Sequence, residues 1–301
     1  DEYTAVVDDN VFTNLSAAQN LRFAAAAARR HPARAAELGI TEDETAEWLR
    51  AADAVAIPFD ERLGVHAQSA GFTEHARWDF DGMSPDDYPL QANFPYFDLY
   101  RKQVVKQADL TLAMFFSPDA FSAAQKAANF AYYEALTVRD SSLSAAVQAV
   151  IAAEVGQLDL AADYLAEAAT LDLDDLHENT DEGLHMASLA GIWTALTCGF
   201  GGMRDSDEGL RFAPRLPPQL SRFAFGVKLA GHTLRVEVRP EGTTYRLSDG
   251  PPVTVLHFGE AVEVEAGHPC TLATPPLPDP GPRPSQPKHC VPRPFADALG
   301  A

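Results

Sequence analysis

Four short polar stretches of this 301-residue chain carry side chains able to move a proton or hold an anion. The first is Asp1-Glu2-Tyr3 with Asp8-Asp9-Asn10 and Thr13-Asn14, a group of carboxylates and amides that also reads as a solvated helix start with Asp9 or Asn10 as N-cap. The second, Lys106-Gln107-Ala108-Asp109, lies between Val104-Val105 and Leu110. A Lys and a Gln side by side in a buried helix need partners, which sugar hydroxyls supply, whereas an exposed helix face needs none. The third runs from Thr137 through Arg139-Asp140-Ser141-Ser142-Leu143-Ser144, immediately before an apolar run. Hydroxyls and free backbone N–H groups at a helix start hold an anion or simply cap the helix. The fourth, Asp181 to Ser188, places His185 and Ser188 three residues apart and hence on one helix face. Asp172, Asp174, Asp175 and His177 lack calcium-loop spacing, so no metal is expected, and neither a glycine-rich phosphate loop nor a Gly-x-Ser-x-Gly turn occurs.

The elements that must position these residues fall into two regimes. From Val11 to about Phe200 apolar residues recur three and four apart, and the spacing predicts helices near 13–30, 42–56, 97–115, 122–133, 142–154, 158–170 and 184–199. An irregular, aromatic stretch from Ile57 to Pro95 separates the second helix from the third, and loops of that length are commonly functional. After Gly201-Gly202 the period changes to two: Phe223, Phe225, Val227 and Leu229 alternate with small or polar residues, as do Leu234, Val236 and Val238. The reading is α+β, with helical residues 1–207, a small antiparallel sheet domain at 208–273, and a tail at 274–301 expected to be disordered because nine prolines fall between Pro275 and Pro294.

Composition narrows the partners. Lys and Arg total 23 against 43 Asp and Glu, a formal charge of −20 that repels phosphate backbones and anionic lipid, so neither nucleic acid nor a membrane is expected as partner. Three cysteines without CxxC spacing predict no disulfide framework and fit a cytoplasmic location.

Taken in order, the motifs resemble one family. Asp1-Glu2-Tyr3 with Val7-Asp8-Asp9-Asn10-Val11-Phe12-Thr13-Asn14, Phe94-Pro95-Tyr96-Phe97, Lys106-Gln107-Ala108-Asp109, Tyr132-Tyr133-Glu134, Asp140-Ser141-Ser142-Leu143-Ser144, Leu171-Asp172-Leu173-Asp174-Asp175, Gly183-Leu184-His185-Met186-Ala187-Ser188 and Gly199-Phe200-Gly201-Gly202-Met203-Arg204 resemble glycoside hydrolase family 65, the inverting maltose, trehalose and kojibiose phosphorylases. The resemblance implies the second half of an (α/α)6 barrel followed by a small β-sandwich, in a chain lacking the family's N-terminal half. It implies Glu2 as general acid, with a pKa held up for that task, Lys106 and Gln107 on the glucosyl hydroxyls, and Ser141, Ser142, His185 and Ser188 around inorganic phosphate as co-substrate, with no other cofactor. The expected reaction is phosphorolysis of an α-linked glucose disaccharide to β-glucose 1-phosphate by a possible homodimer. The alternatives are an inverting trehalase-like hydrolase, whose resemblance implies a base carboxylate near Asp140-Ser141-Ser142-Leu143, where this chain has Ser141 and Ser142 with Asp140 as the neighbouring carboxylate, and a non-catalytic sugar-binding fragment. Residues choosing the second sugar are expected between Gly71 and Tyr88.

Overall fold

The computed structural model describes residues 1–206, 208–229 and 231–299. The chain forms two compact units, one of Asp1–Asp140 with Gln286–His289, the other of Ser141–Ser285 with the segment from Cys290 onward.

The first unit opens with α1 (Val11–Arg30), capped by the Asn10 side chain, which accepts from the Thr13 N–H at 3.0 Å. A short α2 (Pro32–Glu37) and α3 (Glu42–Ala54) follow, α3 capped by Thr41 with Glu42, Asp43 and Glu44 complementing the positive end of the helix. Residues 57–95 are irregular as expected, holding only two-residue strands, single turns of 3-10 helix and one four-residue helix. The helix expected at 97–115 is not continuous. A turn at Tyr96–Leu99 gives way to an extended segment, and α4 begins only at Asp109 and ends at Phe116. The extended segment wins because Val105 donates to the Leu136 carbonyl at 3.0 Å and accepts from Val138 at 2.9 Å, while Val104 and Val105 are fully buried. Helix α5 (Ala123–Glu134) starts in a capping box between Ser122 and Gln125.

In the second unit α6 (Ser144–Glu154) and α7 (Leu158–Thr170) pack along apolar, alanine-rich faces, and α8 (Met186–Thr194) continues into a π-helical turn at Ala195–Phe200. Gly201-Gly202 then turns the chain toward the sheets. Gly202 has φ +57° and a Cβ there would lie 2.4 Å from the Ala213 carbonyl oxygen, so only glycine fits. Strands β1 (Arg211–Phe212), β2 (Phe223–Leu229), β3 (His232–Arg239), β4 (Gly242–Leu247), β5 (Val253–His257), β6 (Glu260–Val264) and β7 (Cys270–Leu272) form two sheets, ordered β7-β4-β3-β2 and β6-β5-β1. The register Phe223–Val238, Phe225–Val236 and Val227–Leu234 lines up the alternation seen in the sequence. Phe212 and Tyr245 meet at 5.5 Å between ring centroids, and the Tyr245 hydroxyl is 2.9 Å from His257 Nδ1, so the sheets share an interior. The helices join that core: Phe200 packs against Phe223 and Trp193 against Phe225, which is why the compact unit runs across the expected boundary at 207/208.

On the outer face of the larger sheet Glu237 receives Arg222, Arg239 and Arg246 at 3.1, 2.7 and 3.1 Å. Arg222 first, then Arg239, hold its carboxyl down to about 2. A carboxylate with a depressed folded pKa adds stability above its unfolded pKa of about 4.3, and this is lost as pH falls toward the folded value. Glu237→Gln is therefore expected to lower the melting temperature at pH 7, and the difference from wild type should vanish as melts are repeated from pH 4.5 to pH 2. A difference independent of pH would contradict this account.

Through Leu299 the tail expected to be disordered is packed; residues 300 and 301 of that expected tail lie outside the described residues. Proline removes N–H donors but leaves carbonyls, and Gln157 Nε2 donates to those of Pro280 and Pro282 at 3.0 and 3.1 Å. Asp163 on α7 binds Arg283 at 2.8 Å and accepts from the Phe295 N–H at 2.8 Å, and Arg293 pairs with Asp174. Cys290 and Phe295 are buried, and a last helix, α9 (Phe295–Leu299), lies on α7. An extended proline segment has few internal bonds to lose, so partners on a folded body order it.

Candidate active site

In the first unit the Asp1 carboxylate fixes the segment that carries Glu2. It accepts from the Tyr3 N–H (3.1 Å), the Thr4 hydroxyl (3.2 Å), the Gln68 amide (3.0 Å) and the Lys106 backbone N–H (3.1 Å). This joins the first residues directly to the extended segment ahead of α4, and Lys106 and Gln107 reach Glu2 from there. Lys106 Nζ stands 2.6 Å from Glu2 Oε2, with the lysine side chain 10% exposed and the glutamate 56%. The Lys106 ammonium, helped by a Gln107 hydrogen bond, holds the Glu2 carboxyl below its ordinary value against the opposing effect of burial. A raised pKa is the sequence-based expectation for this residue; the neighbouring cation reverses it. Gln107 Oε1 is buried with no hydrogen-bond partner. An unpaired buried acceptor costs about 1–3 kcal/mol, a cost that a hydroxyl donor would remove.

Tyr3 is fully buried, and its hydroxyl donates to Asp140 Oδ2 at 2.6 Å while accepting from the Gln91 N–H at 3.0 Å. The Leu90 N–H donates to the same Asp140 oxygen at 2.7 Å. Burial first, then Asp140, push the Tyr3 phenol far above its ordinary value, so it stays a donor. Asp140 thus anchors two chain segments, a task for which a carboxylate accepting from neutral donors is suited.

The remaining predicted residues lie in the second unit. Ser141 and Ser142 form the half-buried turn before α6, where Ser141 Oγ accepts from the Leu143 N–H at 3.3 Å. His185 precedes α8. Its Nδ1 lies 2.5 Å from Asp172 Oδ1 and its backbone N–H donates to Asp172 Oδ2 at 2.9 Å. With Nδ1–H directed at the carboxylate, Nε2 is left as the accepting ring nitrogen. His185 in turn holds the Asp172 carboxyl below its ordinary value. Ser188 is buried, its hydroxyl 3.4 Å from the Ala168 carbonyl. Helices α6 and α8 meet closely at Ala146 and Gly191, downstream of the two pairs.

Sequence reasoning missed two residues. Asp172 is set aside with its neighbours as a non-metal acidic run, and Asp1 is read only as part of a polar start; both reach their partners through folding, which leaves no periodic signal. Among the described residues no group of three or more His, Cys, Asp or Glu side chains is placed to hold a metal ion, and no helix is long and apolar enough to cross a membrane.

Residues 1–194 match the glycosyl hydrolase family 65 central catalytic domain and residues 203–264 the glycosyl hydrolase family 65 C-terminal domain. An uncharacterized glycosyl hydrolase of Mycobacterium leprae is 51% identical over 96% of this chain and 38% of its own length. The α,α-trehalose phosphorylase of Geobacillus stearothermophilus is 38% identical over 90% of this chain and 37% of its own length. A solved structure of a human-microbiome protein named for kojibiose phosphorylase superposes with a TM-score of 0.80 at 26% identity, over 90% of this chain and 38% of that one. The chain thus spans somewhat more than a third of the length of these relatives.

Proposed function

Because the chain belongs to glycosyl hydrolase family 65, whose members are glycoside phosphorylases and hydrolases, we propose that it serves inverting phosphorolysis of an α-linked glucose disaccharide of the maltose, trehalose or kojibiose type. In this reading helices α1 and α3 to α8 belong to an (α/α)6 barrel. Lys106 and Gln107 take glucosyl hydroxyls, and the Gln107 oxygen gains the donor it lacks. A hydroxyl accepting from Lys106 weakens its hold on Glu2, and the sugar displaces water from the exposed carboxyl; both changes raise the Glu2 pKa toward that of a usable acid. Glu2 gives its proton to the glycosidic oxygen as a phosphate oxygen attacks the anomeric carbon from the opposite face. The glycosidic C–O bond breaks, the second sugar leaves as an alcohol, and β-glucose 1-phosphate forms. Ser141 and Ser142 are the hydroxyl donors assigned to phosphate, His185 Nε2 accepts from the hydroxyl of hydrogen phosphate, and Ser188 beside Ala168 serves as a further donor or supports the helix start.

The observation that carries phosphorolysis over hydrolysis is the binding of Asp140 by Tyr3 and Leu90. A hydrolase needs a second carboxylate to activate water, and the candidate for that post is already committed to two donors. Phosphate brings its own nucleophilic oxygen and needs no base. The test is the dependence of glucoside cleavage on phosphate in the active enzyme. Turnover of maltose, trehalose or kojibiose should require phosphate and release β-glucose 1-phosphate; cleavage at the same rate in phosphate-free buffer would replace this reading with the hydrolytic one.

A further inference from the structure

Outside the segment around Glu2, the first unit has a cavity of about 530 Å3 lined by Arg77, Trp78, Asp79, Met83, Phe94 and Lys102, with Gly82, Asp87 and Asp98 at its walls. That volume suits a small-molecule ligand. Trp78 and Phe94 pack edge to face at 5.0 Å between ring centroids and supply an apolar surface for the C–H face of a ring. The three carboxylates accept from hydroxyls, while Arg77 and Lys102 donate to them. Three negative groups against two positive ones disfavour an anion, so the lining fits a neutral polyhydroxylated ring better than a phosphorylated one.

One wall of this cavity, Asp79 to Asp87, is an exposed loop that makes few contacts of its own. Ser84 and Asp87 cap each other inside it, with Asp87 Oδ2 accepting from the Ser84 N–H at 2.7 Å and its hydroxyl at 2.8 Å. Met83 N–H donates to the Phe80 carbonyl at 3.2 Å and Asn93 Nδ2 to the Asp86 carbonyl at 3.2 Å, and four further bonds to residues 81–88 come from the far end of the chain. Lys288 Nζ donates to the Asp81 and Met83 carbonyls at 3.1 and 3.0 Å, His289 Nε2 donates to the Met83 carbonyl at 3.2 Å, and the Tyr88 hydroxyl donates to the Lys288 carbonyl at 2.8 Å. Gln286–His289 also clusters with this unit, apart from the residues on either side of it. These residues lie beyond both regions matched to the family, so the strap is a feature of this chain that the family match leaves unassigned.

We propose that the Trp78–Phe94 cavity is a sugar-binding subsite and that Gln286–His289 is the strap that fixes its loop wall, with Lys288 as the positioning residue. The proposal rests on the glycoside reading above, because it takes a sugar as the ligand. A lysine ammonium has three donors and can hold two carbonyls at once, and losing it frees the loop while leaving the cavity's own side chains in place.

The test uses the 301-residue chain with maltose, trehalose and kojibiose as probes, reading equilibrium affinity and amide hydrogen exchange by segment. At least one sugar should slow exchange across residues 78–88 in the wild type. Lys288→Ala should speed exchange of residues 81–88 in the sugar-free chain by about tenfold and weaken sugar binding several-fold, in line with the loss of two charge-assisted hydrogen bonds. Lys288→Arg, which keeps donors for both carbonyls, should restore both readouts. Trp78→Phe should weaken binding without changing loop exchange. Protection confined to residues 104–107, with 78–88 unaffected by every sugar, overturns the subsite while leaving the glycoside reading standing; absence of any sugar binding overturns the subsite and removes its premise as well. A Lys288→Ala chain that exchanges and binds like wild type overturns the strap.

Discussion

Glu2→Gln in the active enzyme is expected to lower kcat for disaccharide phosphorolysis by about 10² to 10⁴, the range that a positioned general acid contributes, with sugar affinity nearly unchanged. Gln keeps the shape of Glu and can still accept from Lys106, which stands 2.6 Å from the carboxylate, but it has no proton to give. The loss therefore falls on departure of the glycosidic oxygen. A glucosyl fluoride, whose leaving group needs little protonation, should recover much of the lost rate when phosphate is present. The same geometry predicts the pH behaviour: Lys106 holds the Glu2 pKa down, so in the sugar-free protein the carboxyl is ionised at neutral pH and takes up its proton only as pH falls below the ordinary carboxylate range. Bound sugar shifts that uptake upward. The alkaline limb of kcat/KM, where the free enzyme loses the Glu2 proton, should lie at lower pH than the alkaline limb of kcat. Near-normal phosphorolysis by Glu2→Gln would remove Glu2 from the acid role.

The second large effect is expected at His185. Replacing it with Ala should raise the KM for phosphate by about 10- to 100-fold, as expected for loss of one hydrogen bond to a charged group, while the KM for the disaccharide changes little. Asp172→Asn should move the phosphate KM in the same direction by a smaller factor. The ring nitrogen 2.5 Å from Asp172 and the backbone N–H at 2.9 Å both use that carboxylate, so the variant loosens the orientation of Nε2 but leaves the imidazole present. Unlike Glu2→Gln, neither variant should be rescued by a glucosyl fluoride, because the fluoride still requires phosphate as nucleophile. Steady-state kinetics with phosphate and disaccharide varied separately would decide it. A fall in kcat alone, with the phosphate KM unaltered, would detach His185 from phosphate.

The amino-acid sequence by itself determined the elements whose bonds are local. Helices α1, α3, α5, α6 and α7 lie where a 3.6-residue apolar period runs uninterrupted, the first three behind side-chain N-caps at Asn10, Thr41 and Ser122, and strands β2 and β3 lie where the period is two, because i-to-i+4 bonding and pleated alternation are both written in neighbouring residues. Glu2, Lys106 and Gln107 could be named as a set from their motifs, and the structure brings these three together within one unit. What the period could not show is where a distant segment outbids a local one. The apolar run around Val104-Val105 has helical spacing, yet Val105 bonds to Leu136 and Val138 instead, and that exchange is what turns Lys106 toward Glu2. The proline-rich end has the composition of an unstructured tail, and hydrogen bonds and ion pairs to residues far upstream, among them those of Gln157, Arg283 with Asp163, and Lys288, give it a fixed path. Asp1, Asp140 and Asp172 likewise became positioning groups only when folding delivered donors from far along the chain. In each case the deciding interaction is a hydrogen bond or ion pair between residues far apart in sequence, and its partner is chosen by the packing of the whole unit, which no local window of residues contains.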